Sequence, residues 1–138
     1  MDKITKVAVH ALIKRGDKYL VTRRPLHDDY MPGYWDTPGG TLDFGEDLKA
    51  ALNREVGEEI GLKIKIKEVI SVCNYLSGPN RHQFMVTYTC DHVGGEPELD
   101  LNEHDEYRWV TLEEMGELKR ITFLDQLYQE LKLKSQLS

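Results

Sequence analysis

Three glutamates lie close together near the end of a predicted helix, and their spacing is the first sign of chemistry in the chain. Glu55, Glu58 and Glu59 occupy the segment REVGEEIG, which ends at a glycine. The carboxyl end of a helix carries partial negative charge, so acids placed there repel the helix dipole and one another. The ordinary explanation of such a cluster is a solvated helix face, which requires the acids to point away from the apolar residues.

A helical projection places one of the three acids on the apolar side. At about 100° per residue, with Glu55 at zero, Glu59 falls at about 40°, between Leu48 and Leu52 in direction. Glu55 lies at the edge of the apolar stripe, and Glu58 lies outside it. Carboxylates at the edge of a buried face supply the oxygen ligands that a hard divalent cation prefers, with room for water and phosphate groups. We therefore expect a metal site here rather than a solvated face.

The elements that position these acids follow from the spacing of apolar residues. Alternation predicts strands, and helical spacing predicts helices. The predicted strands are 6–13, 18–23, 63–76, 82–93 and 106–110, and the predicted helices are 46–60 and 121–131. This order predicts an α+β fold, with a mixed β-sheet flanked by helices in an α/β/α sandwich. The length suits one domain over residues 1–138.

Local signals support several of these boundaries. Gly61 is suited to the position after the C-cap of the first helix. Thr111 and Glu114 have the spacing of a capping box, which predicts a helical start there. Residues 25–40 mix proline, glycine, aspartate and aromatic residues without a period, and this pattern is typical of a structured loop.

Composition and charge exclude several classes of partner. The 138 residues are 40% hydrophobic and 30% charged, as expected of a soluble globular domain, and the formal net charge is −6. A polyanion or an anionic membrane requires a basic surface, so neither a nucleic acid nor a membrane is an expected partner. No apolar run reaches the roughly 18 residues that a membrane span needs. The amino-terminal residues alternate as a strand does, unlike a signal peptide, and we expect a cytoplasmic protein.

The two cysteines do not indicate a metal site or a disulfide. Cys73 and Cys90 lie in apolar, strand-like stretches and do not form a CxxC pair. Free cysteine is commonly buried, so we predict two buried, reduced thiols.

The glutamate cluster is part of a longer pattern that resembles the Nudix hydrolase family, in particular its MutT-like members. The Nudix signature is a glycine, five residues, a glutamate, seven residues, and then R-E-U-x-E-E-x-G-U, where U is a large aliphatic residue. Every fixed position is met here, by Gly40, Glu46, Arg54, Glu55, Val56, Glu58, Glu59, Gly61 and Leu62. So many specified positions at fixed spacing make the match highly specific.

The resemblance implies a metal centre at these acids. Nudix hydrolases cleave a nucleoside diphosphate linked to another group, with Mg²⁺ or Mn²⁺ and an attacking water. Carried over to this chain, Glu55, Glu58 and Glu59 would bind the metal, and the carbonyl group of Gly39 or Gly40 would be a further ligand. The candidates for the glutamate that accepts the proton of the water are Glu58, Glu59 and an acid from a later loop.

The resemblance also implies supporting roles for other residues. Arg54 would orient a glutamate through an ion pair, and Glu46 would stabilise the junction between loop and helix. Gly61 would serve backbone geometry. In the segment NEHDEYRW some family members carry a further metal-binding glutamate, for which Glu103 matches best and Glu106 second.

The substrate is less closely defined. Aromatic residues could stack on a base and arginines could bind phosphates; the candidates are Tyr30, Tyr34, Trp35, Arg23, Arg24 and Arg81. Trp35 could equally be part of the core. The stretch WDTPGG resembles members that hydrolyse nucleoside triphosphates, standard or oxidised, to the monophosphate and pyrophosphate, and this is the preferred prediction.

Other functions remain as alternatives. EHDEYRWV resembles dinucleoside polyphosphate hydrolases, and hydrolysis of ADP-ribose or a nucleotide sugar is a related possibility. A non-catalytic nucleotide-binding regulatory module is disfavoured because all three glutamates are present. A structural Ca²⁺ site would normally use alternating acids in a loop rather than a helix. A homodimer is common in the family, but the sequence itself does not indicate the oligomeric state.

Overall fold

The computed structural model describes residues 2–137, which form seven strands and three helices. The strands are β1 (Ile4–Arg15), β2 (Lys18–Arg23), β3 (Trp35–Asp36), β4 (Gly39–Thr41), β5 (Lys63–Gly78), β6 (Arg81–Gly94) and β7 (Glu106–Val110). The helices are α1 (Leu48–Ile60), α2 (Leu112–Met115) and α3 (Thr122–Leu137). Among these described residues, no helix is long and apolar enough to cross a bilayer.

The sheet is mixed, and β1 lies at its centre. The strand order is β3-β2-β1-β6-β5, with β4 also paired to β1 and β7 also paired to β2. β1 runs parallel to β6 along most of its length, whereas β5 and β6 form an antiparallel hairpin. β1 pairs with β2 only next to their turn, and further along it pairs with β4 through residues 8–10. β1 and β2 therefore have different neighbours beyond the turn, and the loop between β2 and β4 enters the sheet there.

Alternation along β1 divides the core into two layers. Ala8 and Leu12 pack with residues of α3 on one face of the sheet. Val9, Ala11 and Ile13 pack with residues of α1 on the other face. Helices thus cover both faces, and the predicted arrangement of a mixed sheet flanked by helices is confirmed.

The ends of α1 are set by side-chain and backbone capping. Asp47 is the N-cap, and its carboxylate accepts hydrogen bonds from the amides of Lys49 and Ala50, each at 3.1 Å. The helix therefore begins after the predicted start at Glu46, whose side chain instead accepts a bond from the amide of residue 43 at 3.0 Å. Gly61 adopts a left-handed φ of 69° and closes the last turn, as predicted.

Two short strands were not predicted. β3 and β4, of two and three residues, lie within and beside the stretch that was expected to be a loop. They are too short for alternation to be recognised, and Pro38 and the glycines beside it favour a loop prediction. In contrast, the hairpin of β5 and β6 is confirmed, and so is the capping box of Thr111 with Glu114 at the start of α2.

The prediction of two buried, reduced thiols is partly confirmed. Both cysteines are free, and Cys90 is buried, but Cys73 is only half-buried. Burial raises the pKa of the Cys90 thiol to about 12 and raises that of Cys73 as well. Both thiols are therefore mainly protonated at neutral pH, which slows their reactions.

Candidate functional site

A cavity of about 680 Å³ combines the predicted acids with aromatic and basic side chains. One set of lining residues comes from α1, β4 and the loop before β7: Glu55, Glu59, Gly39, Gly40, Glu103 and His104. A second set comes from β1, β5, β6, α3 and the loop after β2, and it includes His10, Arg24, Tyr30, Tyr75, Gln83 and Phe123. The cavity therefore has carboxylates together with groups suited to a base and to phosphate.

Glu55 lies directly against the backbone of β4. A Cβ atom added to Gly40 would lie 2.5 Å from the carboxyl carbon of Glu55 and 2.6 Å from each of its oxygens. Only glycine at this position lets the main chain approach the carboxylate so closely. The Glu55 carboxylate is thereby held next to the main chain of β4, and carboxylate oxygens are ligands that suit a hard cation.

Arg54 joins the loop before α1 to two glutamates of the helix. Its guanidinium donates to both oxygens of Glu46, each at 2.8 Å, and to Glu55 Oε1 at 3.0 Å. The same guanidinium is 3.4 Å from Glu58 Oε2. The hydrogen bonds from Arg54 lower the pKa of Glu46 to about 2, and Glu46 in turn raises the pKa of Arg54. Glu55 is thus held by a cation that is itself fixed by a bidentate pair.

Glu59 is buried and is held by two donors at one oxygen. The amide of Gly39 and Nε2 of His104 each lie 3.1 Å from Glu59 Oε2. Glu59 is only 7% exposed, which agrees with its predicted direction along the apolar stripe. Glu58 differs, because its side chain is 63% exposed and is not among the lining residues of the cavity.

The surroundings of Glu55 disfavour its ionised form. Burial raises the pKa of Glu55, and the negative charge of Glu59 raises it further, while Arg54 acts in the opposite direction. Within residues 2–137, no group of three or more acidic, histidine or cysteine side chains is arranged as a metal site. Mg²⁺ in proteins usually takes one or two carboxylates together with waters and substrate phosphates. Glu55 and Glu59 fit that requirement.

The loop between β6 and β7 is attached to the end of α1. The amide of Glu98 donates to the carbonyl of Ile60, and the amide of Asp100 donates to the carbonyl of Glu59, both at 2.8 Å. These bonds satisfy carbonyl groups that a helix end leaves free. The turn that follows brings Glu103 to the cavity wall. Glu106, the second candidate, lies in β7 and pairs with an arginine of β2 at 3.3 Å.

Arg24 and Tyr30 are the predicted substrate residues that line the cavity. Arg24 donates to the carbonyl of Tyr30 at 2.8 Å, to Asp28 at 2.8 Å and to Asp36 at 3.3 Å. Its guanidinium also lies over the Tyr30 ring, 5.6 Å from the centroid. Arg24 is therefore held in a fixed orientation at the cavity wall.

The other predicted substrate residues lie outside the cavity lining. Arg23 pairs with Asp105 at 2.8 Å. The ammonium nitrogen of Lys119 lies 4.4 Å from the centroid of the Tyr34 ring. Trp35 is buried in the core, and Arg81 is exposed at the start of β6. Their roles in binding stay predictions.

Several lining residues were not identified from the sequence. His104 directly follows Glu103 in the segment NEHDEYRW. Its place beside a predicted metal-binding glutamate was the signal that could have identified it. His10 binds the carbonyl of Thr37 at 3.0 Å and contacts the ring of Phe123 at 4.8 Å between centroids. No spacing rule joins residue 10 to residue 123, because the contact depends on how α3 packs on β1.

Comparison with known proteins agrees with this geometry. The family model described as "NUDIX domain" matches residues 4–131 of this chain. The chain is 30% identical over 107 residues to the NAD-capped RNA hydrolase NudC of Pseudomonas aeruginosa, an alignment that covers 78% of this chain but 36% of NudC. The chain thus spans about a third of that relative. It is 29% identical over 119 residues to the nucleoside triphosphatase NudI of Escherichia coli, covering 80% of this chain and 84% of NudI.

Solved structures show the same fold. The crystal structure of the MutT protein from Methanosarcina mazei Go1 superimposes with a TM-score of 0.84 and 26% identity, covering 98% of both chains. The solution structure of the E. coli ORF135 protein gives a TM-score of 0.82 at 23% identity, covering 95% of this chain and 91% of that one.

Proposed function

Because the chain belongs to the NUDIX hydrolase family, we propose that it hydrolyses a pyrophosphate bond in a nucleoside diphosphate linked to a further group. The preferred substrate is a nucleoside triphosphate, standard or oxidised, which yields the monophosphate and pyrophosphate. The observation that carries this proposal is the single cavity in which Glu55, Glu59 and Glu103 meet Arg24 and Tyr30. The similarity to a relative named as a nucleoside triphosphatase, over most of both chains, supports the same choice.

The metal expected here is Mg²⁺ or Mn²⁺. When bound, it would neutralise phosphate charge and make a water molecule more acidic. Glu55, Glu59 and a carbonyl group of Gly39 or Gly40 would hold it. Glu58, the third acid of the motif, is close to this site in sequence but exposed, so its side chain must turn toward the cavity if it is to take part.

The remaining residues orient the substrate and receive a proton. Arg24 is held by two carboxylates and presents a fixed cation to a phosphate group. Tyr30 offers a ring on which a base can stack. The attacking water loses a proton to a carboxylate. Oε2 of Glu59 already accepts two hydrogen bonds, and we assign the proton acceptor to Glu103, which reaches the cavity from a separate loop.

The test is a substrate screen with Mg²⁺ and with Mn²⁺. Standard and oxidised nucleoside triphosphates, dinucleoside polyphosphates, ADP-ribose, nucleotide sugars and an NAD-capped RNA are compared by the nucleotide and phosphate products formed. We expect pyrophosphate and a monophosphate from a triphosphate substrate. Release of inorganic phosphate from the triphosphate, or cleavage of another class alone, would contradict the preferred substrate. We further propose that the reaction takes place in the cytoplasm.

Variants of the acids test the site assignment. Glu55→Gln, Glu59→Gln and Glu58→Gln should each reduce metal-dependent turnover by more than about 100-fold, as removal of a charged catalytic group does. Glu113→Gln is the matched control, because Glu113 is an exposed acid of α2 outside the cavity. Wild-type turnover in Glu55→Gln or Glu59→Gln would refute the metal site, and wild-type turnover in Glu58→Gln would remove only Glu58 from it.

A further inference from the structure

His104 is a buried histidine with only one of its two ring nitrogens paired. Nε2 lies 3.1 Å from Glu59 Oε2, and the ring is 5% exposed. Nδ1 is buried and, among the residues that the structure describes, has no hydrogen-bond partner. A buried polar atom without a partner is costly, so an apolar side chain would fill this space better. The histidine therefore has a use other than packing, and its one bond leads to Glu59.

The backbone of the same loop fixes the same glutamate. The amide of Asp100 donates to the carbonyl of Glu59 at 2.8 Å, and the amide of His104 donates to the carbonyl of Asp100 at 3.0 Å. One short turn thus contacts Glu59 twice. The amide of Asp100 binds the main-chain carbonyl of Glu59, and the ring of His104 binds the carboxylate of Glu59. This arrangement leaves little freedom in the distance between the ring and the acid.

The two donors on Glu59 occupy a single oxygen. The amide of Gly39 and the His104 ring both bind Oε2, so Oε1 is left for a ligand in the cavity. We propose that His104 is a positioning residue, which donates Nε2–H to Glu59 and thereby orients the other carboxylate oxygen toward a divalent cation. This inference rests on the proposed function, because it takes Glu59 to be a metal ligand.

Two substitutions separate orientation from packing. The amide nitrogen of His104→Gln can take the place of Nε2 and keep the hydrogen bond, and because Nδ1 has no partner, this variant loses no other bond. His104→Leu fills the same space but has no donor. His92→Leu is the matched control, since His92 is a partly exposed histidine that bonds to the carbonyl of Gly95 at 2.7 Å outside the cavity.

The direct measurement is the affinity for Mn²⁺ alone, followed by the electron paramagnetic resonance signal of the free ion. Loss of a residue that orients a metal ligand typically weakens binding or activity by about 10- to 100-fold. We expect that loss in His104→Leu, an affinity within about threefold of wild type in His104→Gln, and no change in His92→Leu. In steady-state hydrolysis of a nucleotide that the wild-type protein cleaves, kcat should fall in the same order among the variants as the Mn²⁺ affinity does. KM for the nucleotide should stay within about threefold of the wild-type value.

Thermal unfolding without metal completes the test. Both His104 variants should retain a cooperative transition well above the assay temperature, which shows that the Mn²⁺ affinities are compared between folded proteins. Wild-type Mn²⁺ affinity in His104→Leu, or equal losses in the two variants, would overturn the proposal. Failure of the proposed function is recognised separately, since the wild-type protein would then hydrolyse none of the nucleotides, whatever the ratio of Mn²⁺ affinities between the variants.

Discussion

Two adjacent glycines of β4 should respond differently to substitution by alanine: Gly39→Ala should lower stability, and Gly40→Ala should lower activity. At Gly40, the three atoms nearest to an added Cβ are those of the Glu55 carboxylate, 2.5–2.6 Å away, at the end of a flexible side chain. At Gly39, the added Cβ would overlap the carbonyl oxygen of Val9 and would lie 2.7 Å from Cα of His10. The first clash is relieved by moving a side chain, whereas the second requires the backbone of the central strand to move.

These contacts set the expected magnitudes. Gly39→Ala should lose about 1–3 kcal/mol from overpacking, offset by about 0.4–1 kcal/mol from the lower entropy of the unfolded chain. The middle of these ranges is a net loss of about 1.3 kcal/mol, and at about 4 °C per kcal/mol for a chain of this size its Tm should fall by about 5 °C. Gly40→Ala should keep a Tm within about 3 °C of wild type. Its kcat/KM should nevertheless fall by about 100-fold, because a displacement of about 1 Å in a catalytic group has that effect.

The assay combines differential scanning calorimetry with steady-state hydrolysis at saturating Mg²⁺, on the substrate that the screen identifies. The reasoning would be refuted if Gly40→Ala kept the wild-type kcat/KM. It would also be refuted if Gly40→Ala were destabilised as much as Gly39→Ala.

Four further predictions concern stability and reactivity. Gly57→Ala should raise stability by about 0.5–1 kcal/mol in thermal unfolding, since Gly57 is inside α1 and nothing lies within 4 Å of an added Cβ. Glu46→Gln should lose the stability from the pair with Arg54: because the folded pKa of about 2 lies below the ordinary 4.5, the difference from wild type should be full above pH 4.5 and vanish as the pH falls toward 2 in urea titrations. The Cys90 thiol should react with a thiol reagent at pH 8 only after unfolding, whereas half-buried Cys73 should react slowly in the folded protein. Mn²⁺ at about 100 times its Kd should raise Tm by about 8–14 °C, from about 2.7 kcal/mol of linkage, and an unchanged Tm would show that the acids bind no metal.

Elements with a clear period were predictable from the sequence, and elements without one were not. α1, the hairpin of β5 and β6, and α3 each contain enough apolar residues in register to show their period. β3 and β4 have two and three residues, so their pairing depends on β1 and β2 rather than on their own sequences. The parallel pairing of β1 with β6 is likewise a property of the assembled sheet.

The site was predictable where its residues share one element. The direction of Glu59 followed from the helical period, and its 7% exposure agrees with that direction. The partner of Glu59 was not predictable, because His104 lies 45 positions away and reaches the acid through a loop without regular structure. Arg24 and Tyr30 are two of the six predicted substrate residues. The sequence does not distinguish them from Arg23 and Trp35, because only the folded loop shows which side chains line the cavity.

In the loop between β6 and β7, main-chain groups hold the loop on α1, and side chains carry the chemical groups of the cavity. The bonds from Glu98 and Asp100 to the end of α1 use main-chain groups only, and they satisfy carbonyl groups that the helix must pair in any case. The side chains of the turn, Glu103 and His104, are therefore not needed to hold the loop in place. A change at Glu103 should alter the chemistry of the cavity while leaving the loop where it is, and a change at His104 should reach the cavity through Glu59. The acids at the end of α1 are compatible with a stable helix because the backbone of this loop completes the helix end and Arg54 partly offsets their charge.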